Sequence, residues 1–158
     1  MFRKMRRFKQ ELDEKECIDI LKNEKRGVLS VIGDDGYPYG IPMNHWYNEE
    51  DGKLYFHGAG AGHKIDSVKR CGKASYCVMD KGFKKDGEWA LNIKSVVIFG
   101  KIEIVKDKEK NKKICRELCL KFTNDFDYIN NEIEKYGEKV VCLELTPEHM
   151  TGKAVNES

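Results

Sequence analysis

Between Leu54 and Lys69 the chain reads LYFHGAGAGHKIDSVK, a run whose residue types suit the gripping of an anion. Leu54, Tyr55 and Phe56 are strand-forming apolar residues. Gly58-Ala59-Gly60-Ala61-Gly62 then removes almost all side chain, so a ligand can approach bare backbone closely. Ile65 and Val68, three apart, mark a helix beginning near His63. The first N–H groups of such a helix have no partner within it and point toward whatever lies ahead. His63 and Lys64 stand where they add charge, and His57 closes the strand just before the loop. A mere connector between strand and helix has no need of these three groups. The run matches neither common nucleotide pattern: G-x-x-x-x-G-K-[ST] is missing, and Gly58-x-Gly60-x-Gly62 has the wrong last spacing for G-x-G-x-x-G. The expectation is a loop that holds the phosphate of a cofactor, with the remaining chain forming a slot for the cofactor's ring.

The chain as a whole limits the other chemistry. Its 158 residues are enough for one domain that buries roughly 70% of its unfolded surface. With 29 basic and 27 acidic residues it is nearly neutral, which argues against a dedicated nucleic-acid binder. MFRKMRRFK at the start is a basic exception, either a solvated terminus or an arm able to touch nucleic acid, a membrane surface or a phosphate on a partner subunit. It is followed by charged residues rather than an apolar stretch, unlike a signal peptide. No apolar run approaches the ~20 residues of a membrane span. The six cysteines are Cys17, Cys71, Cys77, Cys115, Cys119 and Cys142. None forms a C-x-x-C, and although Cys115 and Cys119 share a helix face, no matching pair elsewhere completes a zinc site. They are read as reduced, mostly buried thiols in a cytoplasmic protein without a metal.

The elements that must position the loop follow from patterning. Asp13 and Glu16 form a capping box ahead of a helix over about 14–25, with Gly27 beyond its end. GVLSVI, 27–32, is a strand; Asp34-Asp35-Gly36 is a turn. The run 37–47 resumes as a strand, with Pro42 inside it. Proline there implies an edge or a bulge, and a bulge would re-aim Met43 and Asn44. Leu54–His57 is the next strand. A helix over 63–71 ends at Gly72, 73–79 is a strand, and 80–88 reads as a surface loop. Residues 89–105 are long strand material bent at Gly100. Ile114, Leu118 and Phe122, four apart, place a helix over 107–122, and 127–136 reads as a short one. Val140–Leu145 closes the set, with Pro147 as its stop. Many short strands without βαβ alternation predict a small closed barrel rather than a doubly wound sheet.

Several of these runs together resemble the FMN-binding split β-barrel superfamily. They are Gly27-Val28-Leu29-Ser30, Asp35-Gly36-Tyr37-Pro38-Tyr39, Ile41-Pro42-Met43-Asn44 and Leu54-Tyr55-Phe56-His57-Gly58-Ala59. Gly62-His63-Lys64, Ser95-Val96-Val97-Ile98-Phe99-Gly100 and Thr151-Gly152-Lys153 continue the pattern in the same order. Within that superfamily the chain is most similar to the nitroimidazole-resistance, 5-nitroimidazole reductase-like proteins, relatives of pyridoxamine 5′-phosphate oxidase. The likeness spans about residues 3–155. It implies a mainly β fold with some helix: a six-stranded FMN-binding split β-barrel with peripheral helices. The whole of 1–158 would be one flavin-binding domain, with 1–12 as a basic N-terminal arm.

The resemblance further implies a homodimer with FMN in a groove at the subunit interface. Pro42, Met43 and Asn44 would lie along the flavin ring, and His57, Gly58 and Ala59 beside the ring and ribityl chain. His63 and Lys64 would meet the phosphate, Ser95 and Val96 would line the opposite wall, and Thr151, Gly152 and Lys153 would approach from the barrel's end. A histidine at the position of His57 is the family's candidate for electron transfer. The expected activity is an FMN-dependent oxidoreductase taking electrons from a reduced nicotinamide or another donor to a small, nitroaromatic-like acceptor. The alternatives are a flavin carrier or redox sensor without turnover, and a split barrel holding another ligand such as haem. Pyridoxamine phosphate oxidation itself is disfavoured, because only Lys153 and His149 near the end offer charge for a second phosphate. Relatives carry an acidic residue in the N-terminal stretch, where this chain has Arg6-Arg7-Phe8-Lys9-Gln10.

Overall fold

The computed structural model describes residues 1–158. Its first long helix, α1 (Glu14–Asn23), begins at the expected capping box. The Asp13 carboxylate accepts from the Glu16 N–H at 2.8 Å, and the Glu16 carboxylate accepts from the Asp13 N–H at 3.3 Å. Two orphan donors are thereby satisfied. The remaining helices are α2 (His63–Arg70), α3 (Lys108–Leu120) and α4 (Phe126–Tyr136). None is long and apolar enough to cross a membrane.

The strands are β1 (Glu11–Leu12), β2 (Arg26–Ile32), β3 (Pro38–Asn44), β4 (Trp46–Asn48), β5 (Lys53–Ala59), β6 (Lys73–Met79), β7 (Asn92–Ile104) and β8 (Val140–Asn156). They form one antiparallel sheet in the order β3-β2-β6-β7-β8-β5-β4, with β1 paired to β8. The two ends of that order, β3 and β4, are consecutive in the chain and separated only by His45. Consecutive Cα atoms are ~3.8 Å apart, so the ends of the sheet must meet. The sheet therefore curls into a split barrel, closed through His45 and left without a hydrogen-bonded ladder between β3 and β5.

Inside the curl, Leu29, Val31, Leu54, Phe56, Tyr76, Val78, Val96, Ile98, Ile102, Leu143 and Leu145 are buried, with Leu21 of α1 and Ile65 of α2 packed onto them. A second cluster lies outside, where Ile114, Cys115 and Leu118 of α3 cover Tyr55 of β5 and Cys142 of β8. Beside it, Glu144 accepts from Lys53 at 2.6 Å and Lys110 at 2.5 Å. Burial works against its ionisation, but the hydrogen bonds from these two lysines outweigh it and hold the carboxyl below its ordinary range.

Four expectations change. The sheet has eight strands rather than six, because the run 37–47 breaks at His45 and Glu11–Leu12 adds a short strand. The pairing of β2 with β3 is continuous from Arg26↔Asn44 to Ile32↔Pro38, so Pro42 lies on a terminal strand without a bulge. Pro147 does not stop the last strand: β8 runs through it to Asn156, and the bulge lies here, between Phe99/Gly100 and His149/Pro147. The N-terminal arm is also docked rather than free. Glu11 and Leu12 pair with Lys153 and Gly152, and the Phe2 ring stacks on His149 at 5.0 Å between centroids.

Candidate functional site

The small-residue run divides in two. Gly58 and Ala59 extend β5, which reaches Ala59, while Gly60, Ala61 and Gly62 make the turn into α2. Gly62 stands at φ +116°, a backbone setting that favours glycine. α2 then sends Lys64 back across the split between β3 and β5. Its Nζ lies 3.6 Å from the Met43 sulfur, and a Cβ placed on Gly58 would come within 2.7 Å of it. In this arrangement the lysine end passes directly over Gly58, and a larger residue there would have to displace it. No carboxylate lies within ion-pair distance of Lys64, unlike Lys22, Lys53, Lys94 and Lys110, all of which are paired. Burial lowers its amine below the ordinary lysine value. A half-buried cation without a counter-ion, at a helix N-terminus beside stripped backbone, is arranged to receive an anion.

His63, the neighbouring candidate, faces elsewhere. Its ring stacks on Tyr39 at 4.1 Å, and Nε2 accepts from the Asp34 N–H at 3.3 Å. Arg70 donates to the Asp34 carboxylate at 3.1 Å and to the Ile32 carbonyl at 3.1 Å. His63 thus ties α2 to the β2–β3 turn. Only Lys64, of the two, stands at the split.

Strand alternation sorts the other candidates by face. Met43, Val96 and Gly152 are buried and point into the barrel; a Cβ on Gly152 would meet the Cys17 sulfur at 2.3 Å. Gly58 turns inward too, toward Lys64. Pro42 and Asn44 lie on the outer face of β3, and Ser95, Thr151 and Lys153 on the outer face of β7 and β8. Register links two of these directly, Ser95↔Lys153. That face is unusually apolar for an uncovered sheet: Val28 (42%), Ile32 (39%), Met79 (62%) and Phe99 (42%) are exposed on it. His57 lies on the outside of β5, where α3 and α4 cover it; it lines a small cavity with Cys115, Cys119, Glu132 and Tyr136. The structure therefore brings Met43, Gly58 and Lys64 together, gathers Pro42, Asn44, Ser95, Thr151 and Lys153 on one outer face, and sets His57 apart from Lys64 across β5.

One polar network behind the split has no counterpart in the sequence reading. His45, fully buried, holds Nε2 at 2.7 Å from the Leu21 carbonyl and Nδ1 at 2.7 Å from the Tyr76 hydroxyl. That hydroxyl is also 3.0 Å from the carbonyl of Met43. The Leu21 carbonyl can only accept, so Nε2 carries the proton, and in the neutral ring Nδ1 competes with the Met43 carbonyl for the one Tyr76 O–H proton. Burial, then the nearby Lys121 charge, push the imidazole down to about 4, leaving it neutral. Lys121 donates to the carbonyls of Glu24 at 2.7 Å and His45 at 2.6 Å, and burial pushes its amine down to about 8. The network fixes the corner that closes the barrel and the backbone of Met43 beneath Lys64. The single signal for it in the sequence was a histidine inside an apolar strand run. No group of three or more His, Cys, Asp or Glu side chains is placed to hold a metal.

Comparison with known proteins bears on this geometry. The sequence model of the pyridoxamine 5′-phosphate oxidase family matches residues 13–154. No curated protein matches. Among solved structures, a candidate 5-nitroimidazole antibiotic resistance protein from Bacteroides thetaiotaomicron is similar at TM-score 0.75 and 21% identity, over 92% of this chain and 87% of that one. An FAD-binding protein from Mesorhizobium loti is similar at TM-score 0.66 and 22% identity, over 92% and 97%. An FAD and heme binding protein from Mycobacterium smegmatis is similar at TM-score 0.73 and 17% identity, over 95% and 74%. At these identities the likeness establishes the shared fold.

Proposed function

The chain belongs to the pyridoxamine 5′-phosphate oxidase family, and we propose that it binds FMN and passes electrons from a reduced nicotinamide or similar donor to a small acceptor of the nitroaromatic kind. The observation that carries this reading is Lys64: a half-buried ammonium at the barrel's split, free of any carboxylate, beside the N-terminus of α2. The residues present fit a phosphate-bearing ligand. Lys64 would donate to the phosphate, with the first N–H groups of α2, and the turn at Gly60–Gly62 would let it come close. Tethered by His63 and Arg70 to the β2–β3 turn, α2 would keep those donors in place.

The ring would lie on the outer face, along Pro42 and Asn44, with Ser95, Thr151 and Lys153 on the far wall. Asn44 can offer its amide to ring nitrogens and oxygens. A second copy of the chain would cover Val28, Ile32, Met79 and Phe99, exclude water and complete a homodimeric flavin groove. Bound FMN supplies the hydride and single-electron chemistry, so no protein nucleophile is needed. His57, beneath α3 and α4, is not required for phosphate binding; its assignment to electron transfer is tested by replacing it.

The experiment is titration of the apoprotein with FMN, followed by oxidation of a reduced nicotinamide with and without a nitroaromatic. Saturation at one FMN per chain with acceptor-dependent turnover supports the whole reading. Saturation without turnover leaves a flavin carrier or sensor. FAD bound in place of FMN would keep Lys64 as the phosphate group's partner and change the nucleotide. No flavin uptake refutes the proposal.

A further inference from the structure

Three of the six cysteines lie close to one another outside the split. Cys115 on α3 faces Cys142 on β8, with their sulfurs 3.9 Å apart. Cys119, one helical turn beyond Cys115, lines the same cavity of about 130 Å³, together with Cys115, His57, Glu132 and Tyr136. Cys115 therefore has the cavity on one side and Cys142 on the other. Cys142 is fully buried, and its sulfur lies 3.7 Å from the carbonyl of Asn111. It does not line the cavity that Cys115 and Cys119 share. The pair joins elements far apart in sequence, and Cys142 is the register partner of His57 on β5.

We propose that Cys115 and Cys142 are a redox-active dithiol whose substrate is a small hydroperoxide. Cys115 is the attacking sulfur, because it meets the cavity; Cys142 is the resolving sulfur, because it is buried behind Cys115, with the Cys115 sulfur and the Asn111 carbonyl as its hydrogen-bonding neighbours. The cavity is partly open to solvent and has ample room for hydrogen peroxide beside the Cys115 sulfur. The Cys142 thiol has one proton to give, either to the Asn111 carbonyl or to Cys115. Given to Cys115, it lowers the Cys115 thiol against its burial, while the same bond, then burial, raises Cys142.

The chemistry balances without a further reagent. The Cys115 thiolate attacks one peroxide oxygen; the S–O bond forms, the O–O bond breaks, and the departing hydroxide takes up the thiol proton as water. This leaves Cys115 as a sulfenic acid. The Cys142 sulfur then attacks the sulfenic sulfur. The S–S bond forms, the S–O bond breaks, and hydroxide leaves with the Cys142 proton as a second water. Two thiols have lost two electrons and the peroxide has gained them. Closing 3.9 Å to the ~2.0 Å of a disulfide asks the sulfurs to approach by about 2 Å. A thiol reductant restores the pair.

The test uses the reduced full chain exposed to a few equivalents of hydrogen peroxide, then alkylated under denaturing conditions and mapped by mass spectrometry. The expected result is loss of two of the six free thiols, a single cross-link between the Cys115 and Cys142 peptides, and full reversal by dithiothreitol. Cys142→Ser should abolish the cross-link and leave a Cys115 sulfenic acid that dimedone traps. Cys115→Ser should leave Cys142 reduced. Should either variant fail to fold, the map of the unaltered protein decides alone. Six alkylated thiols after exposure, or a cross-link that uses Cys119 or any other cysteine, would overturn the proposal.

Discussion

Replacing Lys64 with methionine removes one charge and leaves a side chain of similar length lying between Met43 and Gly58. If Lys64 holds a phosphate, the variant loses one charge-assisted hydrogen bond, about 1.5–3 kcal/mol. At 1.4 kcal/mol per factor of ten, FMN affinity falls by about 10- to 150-fold. The apoprotein should respond in the opposite sense. Lys64 is half-buried with no anionic partner, so its charge costs the fold desolvation without return. K64M should leave apoprotein stability unchanged or raise it.

The pH dependence has a definite sign. The amine of Lys64 is held below its ordinary 10.5 by burial, so between the lowered value and 10.5 the unfolded chain binds more protons. Stability conferred by this group must therefore rise with pH through that window, and K64M must lack the rise. Flavin fluorescence quenching gives the affinity, and urea denaturation of the apoprotein at several pH values gives the rest. An FMN affinity within twofold of the parent would refute the phosphate assignment. Loss of more than about 1 kcal/mol from the apoprotein would show that Lys64 acts as a structural tie instead, since surface changes away from such ties stay within ~0.5 kcal/mol.

Three further outcomes follow from the geometry of the fold. His45 is neutral, with its imidazole pushed from 6.5 to about 4, so the folded state binds fewer protons than the unfolded one between those values. Stability should fall by about 3 kcal/mol as pH drops from 6.5 to 4 on this account, and a His45→Phe variant, destabilised by about 1–3 kcal/mol for the unpaired Leu21 carbonyl, should lose that part of the slope in denaturant titrations. Gly100→Ala places a Cβ 2.2 Å from the Thr146 carbonyl oxygen at the β7–β8 bulge; the expected loss is about 1–3 kcal/mol, read as a lower urea midpoint at unchanged slope. Val28→Glu with Met79→Glu puts two charges on the apolar outer face and should leave the protein monomeric and weak in FMN binding by sedimentation and titration, whereas an unchanged dimer would move the interface to another surface.

Much of this was legible in the sequence because it depends on local pattern. The capping box at Asp13 and Glu16, the helix starting at His63 and the strand 73–79 all came from spacing alone. What escaped depends on partners far away in the chain. Pro147 reads as a stop, yet β8 tolerates it at a bulge in which Glu148 is the extra residue, and Gly100 is what lets the two backbones approach there. The Gly-rich run reads as one loop, but Gly58 and Ala59 pair with Val141 and Val140 and are strand. Period-two alternation shows that Met43 and Pro42 face opposite ways without saying which way is inside; the curl of the sheet decides that. His63 looked interchangeable with Lys64 beside the loop, and only the position of Tyr39 and Asp34 across the turn separates them.

β8 has a consequence for how the protein comes into being on the ribosome. Its residues 140–145 pair with β5, 143–156 with β7, and Gly152 and Lys153 with β1. Every one of those partners is synthesised earlier. Until residues 140–156 have left the exit tunnel, β4 and β5 have no hydrogen-bonded route to the β3-β2-β6-β7 sheet, and β7 presents a bare edge of 13 residues. Such edges invite pairing with other nascent chains. Folding should therefore complete in one late step as β8 zips between two waiting edges, and a chain truncated before residue 140 should aggregate where the chain that includes β8 does not.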